Sequence, residues 1–171
     1  MLLKGLVAGV AGTTVLDLYS YGDMAFRGRA ASELPATVVA KLAERLGLVT
    51  FAHATDDASR ARRAALGAFL GYGVGLGGGI AYAAIRPFVR AWLPWQIAGV
   101  VLGGATLIAS EGSATALGAT DWRTWSATDW VADVVPRTLY GLTTAWAVEN
   151  ADRNASQRRV RAATPSENIA R

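Results

Sequence analysis

The chain has 171 residues, of which 52% are hydrophobic and only 18% charged, with mean hydropathy +0.26 and a formal net charge of +4. Soluble domains average about 25% charged residues and lack apolar runs near 20 residues, so this balance points to a single integral membrane domain. The lack of cysteine excludes disulfides, thiolate metal sites and cysteine nucleophiles, and a lone histidine, His53, excludes His-pair metal motifs.

The basic pI of 9.8 does not point to nucleic acid. The arginines flank apolar segments and crowd the C-terminus, a distribution suited to bilayer anchoring and topology.

The first apolar segment covers residues 2–21. Gly5, Gly9 and Gly12, with Ala8, put small residues at helical spacing, which lets a neighbouring helix approach closely. Its single Lys4 and the lack of a clean small-x-small cleavage site favour a retained membrane helix over a signal peptide. Asp17 lies within the segment and Asp23 just beyond it.

Residues 22–63 form the one sizeable polar connection. Within it, residues 35–47 place Val38, Val39, Leu42 and Leu46 on one face and Lys41, Glu44 and Arg45 on the other. Pro35 and Gly47 supply start and stop signals, so a short amphipathic interfacial helix is expected between the first two membrane helices. Arg60, Arg62 and Arg63 then mark a headgroup boundary, and His53 reads as a solvated loop side chain.

The second span, residues 64–85, carries Gly67, Gly71, Gly75 and Gly79 at every fourth position. In water each glycine would weaken a helix by about 1 kcal/mol, but in lipid the backbone must stay hydrogen-bonded and the glycines form a packing groove. Gly73-x-Gly75-x-x-Gly78 formally matches a dinucleotide fingerprint, yet no strand precedes it and no helix begins there. A third span is expected over residues 95–113, with Gly99 and Gly103 four apart and Glu111 near its end.

Trp92 and Trp95 before this span, and Trp122, Trp125 and Trp130 after it, suit interface anchors of an aromatic belt. Ser126 and Asp129 have capping-box spacing at the start of a fourth span, residues 127–149, which Pro136 should kink. Residues 150–171 read as a polar tail, disordered towards its end. The expected fold is thus all-α, a four-helix membrane bundle with one surface helix and both termini on the same side. Lysines and arginines divide evenly between the two sides; the basic turn at Arg86 and Arg90 and the basic tail favour cytoplasmic termini.

Asp129, Asp133 and Arg137 recur at i, i+4, i+8 and share a helix face. By parity, Asp17, Asp23 and Glu111 fall at the same end of the bundle, so all six form a candidate intramembrane polar network. Charged side chains in a membrane segment face a protein interior or a wet cavity and pair with one another. Three readings stay open: a buried ion-pair network that fixes helix register, with Asp17 completing the Asp133–Arg137 pair, a path for protons or ions, or a ligand-binding or enzymatic pocket. Tyr19, Tyr21 and Tyr140 could lend hydroxyls to any of them. No nucleophile motif or metal-ligand spacing accompanies the carboxylates, so no catalytic residue, metal or cofactor is expected.

Several stretches are also familiar as motifs. They are Asp17-Leu-Tyr-Ser-Tyr-Gly-Asp23-Met with Arg27-Gly-Arg29, Arg63-Ala-Ala-Leu-Gly67-Ala, Thr120-Asp-Trp-Arg-Thr-Trp125, and Asp129-Trp-Val-Ala-Asp133 through Tyr140-Gly141. Together they resemble a group of small, functionally uncharacterised polytopic membrane proteins of actinobacteria. The resemblance implies a multi-pass architecture in a bacterial inner membrane and carries over no catalytic residues. The expected role is a packing or accessory subunit, in a homo-oligomer or with other membrane subunits; a proton-coupled channel or transporter is the alternative.

Overall fold

The computed structural model describes residues 1–163, and no strand occurs among them. Six helices follow in order: α1 (Leu2–Arg27), α2 (Leu34–Arg45), α3 (Val49–His53), α4 (Asp57–Val89), α5 (Trp95–Ala116) and α6 (Ala127–Ala163), with a single 3₁₀ turn at Trp122–Thr124. Of these, α1, α4 and α5 are long and apolar enough to cross a membrane. Helix α6 is longer still, but Asp129, Asp133 and Arg137 interrupt its apolar part.

Most helices outrun their apolar cores. Helix α1 continues six residues past the expected end at Tyr21, because nothing breaks it before Gly28 adopts the left-handed conformation at φ 63°. Asp23 therefore lies inside α1, four residues from Arg27, to which it is bonded at 3.3 Å. Helix α4 starts at Asp57 rather than residue 64, because the Asp56 carboxylate accepts the Ser59 amide at 2.9 Å and caps it. It runs on through Pro87 to Val89, so Arg86 is helical and not part of a turn. The expected tail is also helical as far as Ala163, since residues 150–163 contain no glycine or proline; the disorder expected at the extreme C-terminus concerns residues 164–171, outside the described ones. Helix α3 was not expected: Arg63 donates to the Phe51 and Ala54 carbonyls at 2.7 and 2.9 Å, tying α3 to α4.

Helix α1 packs between α4 and α6, and α6 packs in turn along α5. Several of the contacts are backbone on backbone. A methyl on Gly79 would meet the Gly5 carbonyl oxygen at 2.5 Å and Gly9 Cα at 2.6 Å, while one on Gly103 would meet the Arg137 carbonyl oxygen at 2.5 Å. Helix α2 lies across α4, its Pro35 backbone 2.6 Å from a Cβ built on Gly67. The small core is Ala8, Tyr82, Ala83, Ala98, Ala145 and Val148. Large apolar side chains point outward instead: Phe88 is 81% exposed, Phe69 and Ile108 73%, and Leu3 72%. That inversion suits a lipid solvent.

Candidate functional site

Two arginine–carboxylate centres occupy opposite ends of the bundle. The first joins α5 to α6. Asp133 and Arg137, one turn apart on α6, form an ion pair, and the same guanidinium donates to Glu111 Oε1 on α5 at 2.7 Å and to Ser110 Oγ at 2.9 Å. Glu111 is 9% exposed, and its Oε2, like Asp133 Oδ2, is buried without a hydrogen-bond partner. Arg137 can reach Glu111 because Gly103 and Gly141 let the α5 and α6 backbones touch just beyond it.

Of the six residues in the expected network, the structure brings together Glu111, Asp133 and Arg137. Asp129 is engaged elsewhere: its carboxylate accepts from the Ser126 amide and hydroxyl at 2.9 and 2.7 Å, and the Ser126 hydroxyl accepts the Asp129 amide at 3.2 Å. This reciprocal capping box opens α6. Asp17 does not join the Asp133–Arg137 pair; its Oδ2 accepts the Tyr72 hydroxyl at 3.2 Å, linking α1 to α4. Asp23 pairs with Arg27 and Arg29 at 3.3 and 3.4 Å. In each case a partner within one turn or on the adjacent helix is closer than the shared arginine.

The second centre was not anticipated. Arg86 Nε of α4 donates to Glu149 Oε1 of α6 at 2.5 Å, and its Nη1 donates to the Leu93 carbonyl at 2.6 Å, closing the α4–α5 turn. Arg90 approaches the other Glu149 oxygen at 3.8 Å, and Lys4 of α1 pairs with Asp152 at 2.6 Å. Tyr82, one turn before Arg86, is buried with its hydroxyl unpartnered. A signal was present in the sequence. Gly75, Gly79, Tyr82 and Arg86 advance by four, three and four residues, so Arg86 continues the inward stripe of α4, and Gly141, Ala145 and Glu149 do the same on α6.

Hydroxyls line the bundle between the centres. Tyr140 OH donates to the Gly75 carbonyl at 2.5 Å and Thr144 Oγ1 to the Ala8 carbonyl at 3.4 Å, while Thr106 Oγ1 bonds back to Gly103 within α5. Tyr19 and Tyr21 take no part in these bonds.

The glycines of α4 lie in more than two environments, with Gly78 facing Tyr140 of α6 and Thr106 of α5. Gly67, Gly75 and Gly79 are buried against α2 or α1, whereas Gly71 has open space at its Cβ position. Gly73 and Gly77 are also open; with Ala81 they form an exposed small-residue stripe opposite the packed one. Trp92 is 69% exposed and Trp95 packs on the core at the start of α5, while Trp122 and Trp125 stack edge-on against Trp130 beyond its other end, at 6.3 and 5.2 Å between rings. The 22 residues of α5 between these groups span about 33 Å, close to the hydrocarbon thickness of a bilayer.

Among the described residues no three His, Asp or Glu side chains are grouped to hold a metal. No protein-family model matches the chain, and neither a curated protein nor a solved structure shows significant similarity to it.

Proposed function

We propose that this chain is a multi-pass protein of a bacterial inner membrane, with cytoplasmic termini, that serves as a packing or accessory subunit in a homo-oligomer or a larger membrane complex. Helix α6 is the fourth span, its ion pairs turned towards α5 and α4 and its Trp146 towards lipid. The observation that carries the reading is the exposed Gly73–Gly77–Ala81 stripe. Small residues at four-residue spacing in an apolar helix let a second helix approach closely, and among the described residues no helix covers them. The test is native mass spectrometry of gently extracted protein, beside the Gly77→Leu variant. A homo-oligomer or stoichiometric partner that Gly77→Leu releases is expected. A monomeric wild type without a partner would overturn the reading.

The centre at Glu111, Asp133 and Arg137 favours a second reading, a proton-coupled channel or transporter. Under it, Asp133→Asn abolishes proton flux in liposomes while assembly stays normal; absence of flux through the wild-type protein would sink it.

A further inference from the structure

Two carboxylates and one guanidinium meet at the α5–α6 contact, leaving a formal charge of −1 in a site where Glu111 is 9% exposed. An uncompensated charge in such surroundings is costly, and like charges sharing a site do not both stay ionised. Among the described residues, no second cation is paired with either carboxylate. On α5, Ser110 is neutral and already accepts from Arg137. On α6, Asp129 is held by Ser126. On α1, Asp17 is bonded to Tyr72 of α4, and Arg27 of α1 and Arg29 just past its end are engaged with Asp23. On α2, Arg45 donates to the Ala116 carbonyl at 2.8 Å, and Lys41 pairs with Glu44. Two buried carboxylate oxygens, Glu111 Oε2 and Asp133 Oδ2, lack any hydrogen-bond partner.

We propose that Glu111, Asp133 and Arg137 form a binding site for one proton, carried by either carboxyl group and bringing the three side chains to net neutrality. The proton sits on an oxygen that Arg137 does not use, so the guanidinium keeps its bonds to both carboxyl groups. The site holds its proton whether the chain conducts or only assembles, so the proposal stands apart from the choice between those two functions.

Infrared difference spectroscopy of the full-length protein in lipid nanodiscs, titrated with acid and base in potassium buffer, tests it. The wild type should show one protonated-carboxyl C=O band at neutral pH that disappears at alkaline pH. Glu111→Gln and Asp133→Asn should each lack the band, because either leaves one carboxylate balanced by Arg137. Both variants imitate the protonated side chain in shape, so their thermal unfolding should also lose a pH dependence that the wild type has. The sign follows from the bound proton. The folded wild type holds one more proton than the unfolded chain, so its stability falls as pH rises. A wild-type spectrum without such a band, or a band that survives in both variants, overturns the proposal. So does a band abolished at neutral pH by sodium, which would make this a sodium site.

Discussion

Arg86 and Glu149 meet at 2.5 Å where α4 ends and α6 passes it, and the two residues are only 4% and 7% exposed. Removing one partner of a buried pair strands the other charge, at about 3–5 kcal/mol. Glu149→Ala should therefore lower the thermal midpoint strongly in detergent. The double variant Arg86→Met with Glu149→Leu should recover much of the loss, because it leaves no stranded charge. A double variant as unstable as the single one would mean that the pair does more than balance charge.

The glycine contacts predict opposite outcomes at two positions of one helix. A methyl at Gly79 collides with the α1 backbone, which cannot rotate aside, so Gly79→Ala should cost about 1–3 kcal/mol. At Gly71 the space is open, and Gly71→Ala should be neutral or stabilising by up to about 1 kcal/mol through helix propensity. Thermal unfolding of the two variants, measured side by side, checks how far along this stripe α1 covers α4.

Tyr140 is 1% exposed and its hydroxyl reaches across to the Gly75 carbonyl of α4. Tyr140→Phe keeps the ring and removes the bond, and should cost about 1 kcal/mol. Faster hydrogen exchange at amides in the middle of α4 should accompany the loss. Unchanged exchange there would show that the ring alone sets the contact.

Asp56 makes the start of α4 sensitive to acid. The Ser59 backbone amide, and then its hydroxyl, hold the Asp56 carboxyl below the usual aspartate range. Because the folded-state value is lowered, the cap's contribution is fully present above the unfolded value and is lost as pH falls through the folded one. Amide protection in the first turn of α4 should decline over that acid range in the wild type. In Asp56→Asn, whose cap carries no charge, the decline should be absent.

The sequence by itself determined that the chain is helical, that three of its segments are apolar enough to cross a membrane, and that small residues line them. Those features are local: hydropathy summed over a turn or two, glycine spacing, and the Ser126–Asp129 cap are all written in neighbouring residues. Helix ends were less legible, because apolarity marks where a helix would leave a bilayer, while the backbone continues until a cap or Gly28 stops it. Only the tertiary structure decided which glycine stripe of α4 is filled, since Gly75 and Gly77 differ in azimuth alone and α1 covers one of them. It also decided the partners of the charges. Asp17, Asp23 and Asp129 lie at the expected end, but ion pairs are settled over a few ångströms, and Tyr72, Arg29 and Ser126 are nearer than Arg137. Arg86 and Glu149, 63 residues apart, meet because α1 and α5 hold α4 and α6 in register, a relation that no local pattern contains.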